Sequence, residues 1–536
     1  MVIRYLTTWT LDIGCWIFDI PSAHRDHAFH RTKDVMPEPQ VSLPRSSGVL
    51  MHVSSLPSAF GIGDLGPAAY QWVDQLVQAG QCWWQVLPLC PIGQGDSPYD
   101  SYSSVGANPL FISPESLVEE GLLNRSDLHH GGFPDHSVHF LSVRQFKATV
   151  LDRAWQNFSS EAGHILREEC EAFLHDQAGQ LDEFALFMAL KHRFGGAKWF
   201  EWPAELAMRN PEALASVQRE LADRIRQECF AQFLAVRQWQ RLKRYANERG
   251  LRVIGDLPIF VSVDSVDVWA YPDQFLLDEH RRPRVVAGVP PDYFSPTGQL
   301  WGNPLYDWDR MRHDGYAWWT RRLRSMLRNF DLIRLDHFRG LESAWHIPAG
   351  AETAQVGRWE PGPGADFLNH VRSTFDGLPM IAEDLGLITN EVQVLRKQFD
   401  LPGMRVLQFA FDGDPNNWFL PHNYDQNSVV YTGTHDNDTT LGWYQSLTDD
   451  DRHRVRSLTH TDGRDIVWDL IRQAWSSIAR VAIVPVQDLL VLDSSARMNR
   501  PGIAAGNWDW RMTADQPVSD SLVRLRQLTE SCDRLP

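Results

Sequence analysis

Cysteine is scarce in this chain of 536 residues, and none of its cysteines is spaced as a metal site would need. Zinc ligands usually come in close pairs such as CxxC, and no such pair occurs here. Disulfide frameworks are typical of small secreted domains rather than of long chains. We therefore expect free thiols in a reducing, cytoplasmic compartment, with neither a zinc site nor a disulfide framework. The six cysteines are Cys15, Cys82, Cys90, Cys170, Cys229 and Cys532.

Long apolar runs and an excess of basic residues are also missing. No segment reaches the roughly 18 apolar residues of a membrane-spanning helix, so no such helix is predicted. The formal net charge is −17 at pH 7, whereas nucleic acids and anionic membranes bind basic surfaces. Neither is therefore an expected partner, and a neutral or cationic ligand is favoured.

The N-terminal segment 1–35 lacks the features of a targeting signal. Its apolar stretch CWIFDI (15–20) is too short and too interrupted by acids for the core of a signal peptide. We expect residues 1–35 to be a poorly ordered extension, or an upstream start with Met36 as the functional beginning. The acids that argue against a transit peptide are Asp12, Asp19, Asp26 and Asp34.

Tryptophan, in contrast, is plentiful. The chain has 22 Trp within an ordinary globular balance of 43% hydrophobic and 22% charged residues. Aromatic rings offer flat apolar faces that suit the C–H faces of sugars, although core packing accounts for most Trp in most proteins. The length allows two to four domains, or one large barrel with insertions.

Eight short apolar runs recur from about residue 46 onward. Runs rich in Val, Ile and Leu are typical of parallel strands that are covered on both faces. Helical patterns lie between several of them, at 67–80, 389–399 and 465–475. This alternation predicts an α/β fold, a (β/α)8 TIM barrel, with a doubly wound open sheet as the alternative. The runs are 48–56, 82–89, 251–260, 331–338, 379–385, 403–411, 428–436 and 480–490.

The uneven spacing of these runs predicts two large insertions in a single barrel spanning 36–536. The first, about 116–250, separates the second and third strands and has a mainly helical composition. The second, about 262–313, separates the third and fourth strands and is rich in Pro and Gly. Long segments that follow barrel strands build the active-site face.

Charged residues interrupt the apolar run at 331–338. Strand periodicity places Arg334 and Asp336 on one face, which we expect to point into the barrel near its C-terminal mouth. A buried carboxylate needs a partner, and the arginine would hold Asp336 ionised. A purely structural ion pair with Arg334 or Arg339 is the alternative.

Other strands end in acids as well. Glu383 and Asp384 follow the fifth run, Asp436 the seventh, and Asp256 lies in the third. Carboxylates at one end of several barrel strands are typical of catalytic sites, although the pair at 383–384 could instead cap the next helix.

Two further interpretations are less favoured. His435 and Asp436 could bind a metal, but barrel metal sites usually add a paired histidine motif on the first strand, where only His52 occurs. The segment GIGDLG (61–66) matches a dinucleotide fingerprint. That motif should follow a strand directly, so a turn that leads into a helix is the better interpretation.

Nine motifs occur in an order that resembles glycoside hydrolase family 77, the 4-α-glucanotransferases (amylomaltases or disproportionating enzymes). The likeness runs from about Met36 nearly to the C-terminus. The sequence departs slightly at GANP (106–109) and at Ile503, which affects contacts with individual sugars rather than the chemistry. The motifs are SSLPSAFGIGDLG, SPYDSYSSVGANPLFI, GDLPIFV, GVPPDYFSPTGQLWGNPLYDW, RLDHFRG, AEDLG, GMRVLQFAF, THDN and RMNRPG with GNWDWR.

The resemblance implies a barrel without a separate C-terminal β-domain, no cofactor or metal, and α-1,4-glucans and maltooligosaccharides as substrates. It also implies a monomer or homodimer that transfers glucan segments with retention of configuration; an α-amylase-type hydrolase and a non-catalytic glucan-binding protein are the alternatives. The matching positions are the nucleophile Asp336, the acid/base Glu383, the transition-state stabiliser Asp436, and the sugar-binding residues Tyr99, Asp256, Trp301, Arg334, His435 and Asn499.

Retaining chemistry requires a low pKa for Asp336 and a raised one for Glu383, so we expect Arg334 to lower the first and burial to raise the second. The loop of the GVPPDYFSPTG motif resembles a lid. With Tyr293, Phe294 and Trp301 it should exclude water, so that transfer outcompetes hydrolysis.

Overall fold

The computed structural model describes residues 43–160, 164–291, 295–503, 505–516 and 518–536. The predicted N-terminal extension (1–35) lies outside the described residues, and so do Tyr293 and Phe294 of the expected lid. Five cysteines lie within the described ranges, and all five are free thiols. In the same ranges no helix has both the length and the apolarity to cross a membrane.

Eight parallel strands close into a barrel, which excludes the open doubly wound sheet. Each of the eight apolar runs contributes one of them, and the order around the barrel is β1–β2–β3–β6–β9–β10–β11–β12. The strands are short and their apolar residues are buried on both sides, as parallel strands under helices require. In chain order the strands are β1 (Ser46–Leu50), β2 (Trp83–Gln85), β3 (Arg252–Pro258), β4 (Val285–Val289), β5 (Gln299–Pro304), β6 (Leu332–Asp336), β7 (Ser343–Pro348), β8 (Arg358–Pro361), β9 (Met380–Ala382), β10 (Gly403–Val406), β11 (Ser428–Tyr431) and β12 (Val481–Pro485).

Helices cover the barrel, and the three predicted from periodicity are α1, α13 and α16. In α16 the apolar positions fall on one face and are buried against the strands, as amphipathic spacing dictates. The helices are α1 (Pro67–Gln78), α2 (Pro114–Glu119), α3 (Phe140–Ser160), α4 (Arg167–Asp176), α5 (Gln180–Arg193), α6 (Ala204–Ala207), α7 (Pro211–Glu220), α8 (Ala222–Glu248), α9 (Val266–Ala270), α10 (Trp308–His313), α11 (Ala317–Asn329), α12 (Gly364–Thr374), α13 (Asn390–Gln398), α14 (Thr440–Ser446), α15 (Asp449–Thr459), α16 (Ile466–Ser476), α17 (Val486–Leu489) and α18 (Val518–Ser531).

The segment GIGDLG forms the turn that leads into α1. Gly66 is the residue before the helix, and Pro67 occupies the first helical position, where its fixed φ is pre-organised. The Asp64 carboxylate accepts a hydrogen bond from the Gly66 N–H at 3.0 Å and lies 3.6 Å from Lys147 Nζ. These contacts are structural, as the turn interpretation predicts.

The segment between β2 and β3 contains α2 to α8. The longest of these helices, α8, packs against the barrel through Trp239, whose ring lies 6.3 Å from that of Trp84 in β2. Its other face joins a smaller apolar cluster that includes Phe158, Phe230 and Phe233. The first insertion therefore has a core of its own beside the barrel.

A four-stranded antiparallel sheet, in the order β5–β4–β7–β8, stands beside the barrel mouth. Its strands come from both sides of β6 in sequence, with Val286 of β4 opposite Ile347 of β7. No strand was predicted here, because these strands are only partly buried and β4 pairs with β5 irregularly. The sheet carries Trp301 toward the cleft.

Candidate active site

Arg334 links two carboxylates on neighbouring strands. In the register of β3 and β6 it lies directly opposite Asp256, and its Nη1 lies 2.9 and 2.8 Å from the two Asp256 oxygens. Its Nη2 lies 3.0 Å from Asp336 Oδ1. Arg334 is only 3% exposed, so these contacts hold its charge inside the barrel mouth.

Glu383 lies at the end of the strand next to β6, which carries Asp336. It follows β9 directly, and its N–H donates to the Leu335 carbonyl of β6 at 3.1 Å. The Glu383 carboxylate accepts hydrogen bonds from the N–H groups of His337 at 2.7 Å and Leu385 at 2.9 Å. His337 adopts a left-handed backbone (φ 55°), which turns its N–H toward Glu383. Neighbouring parallel strands are about 4.8 Å apart, so the two carboxylates face the same opening.

A stack of rings lines the cleft beside Asp256. The Tyr99 hydroxyl donates to Asp256 Oδ2 at 2.7 Å, and its ring is stacked on His435 at 5.2 Å between centroids. Trp508 completes the group, 5.7 Å from Tyr99 and 5.9 Å from His435. Tyr99 and His435 are stacked, and Trp508 is tilted against them by 44° and 38°, so the three rings form an aromatic wall next to the carboxylates.

Asp436 is held by the segment that follows β12. The Asn499 amide donates to Asp436 Oδ1 at 2.7 Å, and His435 Nε2 lies 3.4 Å from the same oxygen. The Arg497 guanidinium donates to the carbonyls of Asp436 and Asn499, each at 2.7 Å. The Asp436 side chain remains 46% exposed, so it is available to a ligand in the cleft.

Trp301 lies on the other side of the opening. It stands on β5, 38% exposed, with its ring edge-on to His337 at 4.8 Å and 6.5 Å from Phe260. It therefore borders the Glu383 side of the cleft.

Burial sets the protonation of the two central carboxyl groups. Burial raises the pKa of Asp336 to about 8. The Arg334 charge opposes this effect, and the charges of the neighbouring acids add to it. Burial likewise raises the pKa of Glu383, although Arg334 and two N–H groups favour its ionised form. The expected low pKa of Asp336 is thus wrong for the free protein, because the effect of burial outweighs that of the Arg334 charge.

Asp384 points away from the cleft. It does not cap α13, whose preceding residue is Thr389. Instead its carboxylate accepts the N–H of Met404 in β10 at 2.7 Å and pairs with Arg396 at 3.2 Å. The two adjacent acids thus have different roles. Glu383 faces the opening, and Asp384 links the end of β9 to β10 by a hydrogen bond.

The metal alternative finds no geometric support in the described ranges, which contain no cluster of three His, Cys, Asp or Glu side chains arranged to hold an ion. His52 is buried edge-on to Phe111 at 5.4 Å between ring centroids. Burial lowers the pKa of His52 to about 3.

Comparison with known proteins identifies the family. A family model described as 4-alpha-glucanotransferase matches residues 51–516. A 4-alpha-glucanotransferase of Synechocystis sp. is 49% identical over 88% of this chain and 94% of its own length. One of Thermus thermophilus is 46% identical over 92% of this chain and all of its own length. The chain belongs to the 4-alpha-glucanotransferase family.

A solved structure agrees with this assignment. The amylomaltase from Streptococcus agalactiae, in complex with acarbose, superposes with a TM-score of 0.88 at 36% identity, covering 92% of this chain and all of that one. The barrel, with its surrounding insertions, is therefore the fold of this family.

Two cleft residues were not predicted from the sequence of this 4-alpha-glucanotransferase family member. Trp508 and Arg497 both lie in the motif RMNRPG with GNWDWR, which was recognised without roles for them. Trp508 has a left-handed φ of 67°, a conformation rare for a tryptophan. The density of aromatic and basic residues in that motif was the available signal.

Proposed function

We propose that this chain is a retaining 4-α-glucanotransferase, which moves a segment of an α-1,4-glucan to the 4-OH of an acceptor glucan or glucose. The observation that carries the proposal is the pair of Asp336 and Glu383 on adjacent strands, with Arg334 in contact with Asp336 at 3.0 Å. Retaining enzymes use two carboxyl groups about 5–5.5 Å apart. Neighbouring strand ends suit that spacing. Membership of the family supports the same reaction.

In the first half of the reaction, ionised Asp336 attacks the anomeric carbon as the glycosidic bond breaks. Protonated Glu383 donates its proton to the departing 4-oxygen, and the shortened chain leaves. The buried site contains four carboxyl groups and one guanidinium. Protonation of a carboxyl group is therefore favoured there. The contact with Arg334 favours placing the proton on Glu383 and the charge on Asp336.

In the second half, the covalent glycosyl–Asp336 ester is broken by the acceptor 4-OH. Glu383, now ionised, takes the proton of that hydroxyl, so a new α-1,4 bond forms and both carboxyl groups return to their starting states. Asp436 accepts hydrogen bonds from hydroxyls of the reacting ring and favours its oxocarbenium-like form. Tyr99 supports the apolar face of that ring.

The remaining residues hold this arrangement. Asp256 fixes both Arg334 and Tyr99, and Asn499 orients Asp436 through the bond at 2.7 Å. His435 stacks against Tyr99 and borders Asp436. Trp301 would line the acceptor side and shield the ester from water.

Incubation with maltotriose alone tests the proposed reaction. A transferase yields glucose together with maltopentaose and longer products, because each segment removed is attached to another chain. An α-amylase-type hydrolase yields only shorter sugars, and that result would overturn the proposal. Product chain lengths are read by high-performance anion-exchange chromatography over time.

Azide rescue of two variants tests the assigned roles. With an α-glucosyl fluoride donor, Asp336→Gly should give the β-glucosyl azide, because azide replaces the nucleophile. Glu383→Ala should give the α-azide, because azide then attacks the covalent intermediate. Without azide both variants should lose roughly 10⁴-fold or more in kcat. Full turnover by Asp336→Gly would instead favour a non-catalytic role for this site.

We also propose a cytoplasmic enzyme that works as a monomer or homodimer. The free thiols at all five described cysteine positions suit a reducing compartment, and the net charge of −17 offers little to nucleic acid or an anionic membrane. Light scattering coupled to gel filtration would determine the oligomeric state, and a trimer or larger would contradict this proposal.

A further inference from the structure

A left-handed residue follows the proposed nucleophile directly. His337 has φ 55° and ψ 49°, a conformation that is uncommon for residues other than glycine. Strand β6 ends at Asp336, and a short 3₁₀ turn, Phe338–Leu341, begins immediately after His337. This one residue therefore joins the strand that carries the nucleophile to the turn beside the cleft.

Hydrogen bonds fix the backbone of His337 on both sides. Its N–H donates to Glu383 Oε2 at 2.7 Å, and its carbonyl accepts the N–H of Gly340 at 2.9 Å. The next N–H, that of Phe338, donates to the Glu383 carbonyl at 3.2 Å. A strained backbone conformation persists where its surroundings determine it in this way, and such residues cluster at active sites.

The imidazole of His337 acts by packing. The ring lies edge-on to Trp301 at 4.8 Å and at 6.2 Å from Phe260, measured between centroids. Its Nε2 is buried and has no hydrogen-bond partner among the described residues. Burial and the Arg339 charge lower the pKa of His337 to about 3, so the ring is neutral near pH 7. It is therefore a poor candidate for moving protons in the reaction.

Three charged side chains act on the Glu383 carboxyl. Arg334 on β6 favours its ionised form, whereas Asp336 on β6 and the adjacent Asp384 oppose that form. The N–H of His337 adds to the effect of Arg334 by bonding to the ionised carboxylate. A change of backbone conformation at position 337 would remove this bond and leave every one of these charges in place.

We propose that His337 is a positioning residue for the acid/base, and that it acts through its left-handed backbone. In that conformation its N–H holds Glu383 Oε2, so the carboxyl is oriented to give its proton to the leaving oxygen and to take one from the incoming hydroxyl. The peptide group between Asp336 and His337 thus links the nucleophile to the acid/base. This inference rests on the proposed function, because it assumes the role of Glu383.

Substitution by a β-branched residue tests the role of the backbone. Valine disfavours the left-handed conformation, so in His337→Val the N–H should turn away from Glu383. The pKa of Glu383 should then rise, because its ionised form loses a hydrogen bond. The basic limb of kcat/KM for maltotriose should move upward by about 1–2 pH units. At its optimum kcat/KM should fall roughly tenfold or more, because the acid is misplaced.

Two further substitutions separate the backbone from the ring. Glycine and asparagine adopt the left-handed conformation readily. His337→Gly and His337→Asn should therefore keep the basic limb of the wild type, although both lack the imidazole.

His460 provides the matched control. It is also a left-handed histidine with φ 55°, but it is exposed at the end of α15, where its N–H donates to the Arg456 carbonyl. His460→Val should strain the backbone in the same way and leave the pH profile unchanged.

An infrared titration follows Glu383 without turnover. The band of its protonated carboxyl is assigned by its loss in Glu383→Gln, and its pH dependence is measured in the free protein. His337→Val should move this titration upward by about 1–2 pH units, and His337→Asn should not move it. The products from maltotriose test the proposed function separately, so each of the two can fail without the other.

Two results would overturn the proposal. The first is a basic limb and an infrared titration that are both unmoved in His337→Val. The second is an equal shift in the valine, glycine and asparagine variants, which would assign the effect to the imidazole. Thermal unfolding shows whether each variant is folded. If His337→Val does not fold, His337→Ala takes its place, with a smaller shift expected in the same direction.

Discussion

Arg334 is the residue on which the charge balance of the cleft depends. It lies among Asp256, Asp336, Glu383 and Asp436, and its charge opposes the effect of burial on both central carboxyl groups. Of the two central carboxyl groups, Asp336 is the one in contact with Arg334, at 3.0 Å, and Asp336 must be ionised to attack.

Removal of this charge should shift the pH dependence of turnover. In Arg334→Gln the pKa of Asp336 should rise further, so the acidic limb of kcat/KM for maltotriose should move about 1–3 pH units upward. Arg334→Lys keeps the charge and should shift the limb less. The measurement is a kcat/KM profile over a wide pH range. An acidic limb unmoved in Arg334→Gln would mean that Asp336 does not depend on this contact.

The adjacent acids after β9 allow catalysis to be separated from stability. Asp384 is fully buried between Arg396 and Arg405, at 3.2 and 3.6 Å. Breaking one side of a buried ion pair typically costs about 3–5 kcal/mol. Asp384→Asn should therefore lower the free energy of unfolding by about that amount, measured by urea denaturation.

A matched control exists in Asp425, which also contacts Arg396, at 3.2 Å, but is 49% exposed. Asp425→Asn should cost less than about 1 kcal/mol, because an exposed pair contributes little. Glu383→Gln, unlike Asp384→Asn, should abolish turnover with little change in the free energy of unfolding. Equal costs for Asp384→Asn and Asp425→Asn would contradict the role of burial.

At the scale of elements, β5 brings an indole to the cleft edge that the barrel strands do not supply. Trp301 lies edge-on to His337, next to the backbone that binds Glu383. Trp301→Ala should admit water to the glycosyl–enzyme ester, and glucose release should rise several-fold relative to transfer. Product analysis with maltotriose measures that ratio.

Trp359 provides the control for this variant. It is 37% exposed on β8, the opposite edge of the same sheet, where it stacks on Arg339 at 3.7 Å. Trp359→Ala should leave the ratio of hydrolysis to transfer unchanged. A similar change in both variants would indicate a general loosening of the sheet rather than shielding by Trp301.

At the scale of the whole molecule, the C-terminal end stabilises the seam between β1 and β12. Arg534 is fully buried and donates to five carbonyls at 2.7 to 3.2 Å, which belong to Trp475, Ser46, Arg480, Ser477 and Ala479. These acceptors come from α16, β1 and the segment that enters β12. One side chain thus joins the first and last strands.

Arg534→Ala should destabilise the whole barrel. Hydrogen bonds from a charged donor contribute about 1.5–3 kcal/mol each, and the variant leaves several buried carbonyls without partners. We expect a loss of at least about 3 kcal/mol in the free energy of unfolding, seen as a lower urea midpoint. Arg526→Ala, which removes an exposed arginine of α18 with one carbonyl contact, should have little effect. A midpoint unchanged in Arg534→Ala would show that the seam does not need this residue.

Much of the architecture follows from local pattern. The eight barrel strands and helices α1, α13 and α16 were predictable because apolar runs and 3.6-residue periodicity are properties of neighbouring residues. The antiparallel sheet was not, because its paired residues Val286 and Ile347 are far apart in sequence, with the barrel strand β6 between them. Such pairing depends on contacts between distant segments, which periodicity does not report.

The features of the cleft can also be separated into those that the sequence determined and those that depend on the tertiary structure. Sequence alone determined the acids at the strand ends and, through the resemblance, the family and the expected roles of Asp336, Glu383 and Asp436. Only the tertiary structure decided that Arg334 makes more contacts with Asp256 than with Asp336, and that Trp508 lies beside the stacked rings of Tyr99 and His435. Protonation and burial depend on every group within a few ångströms, and those neighbours come from all parts of the chain.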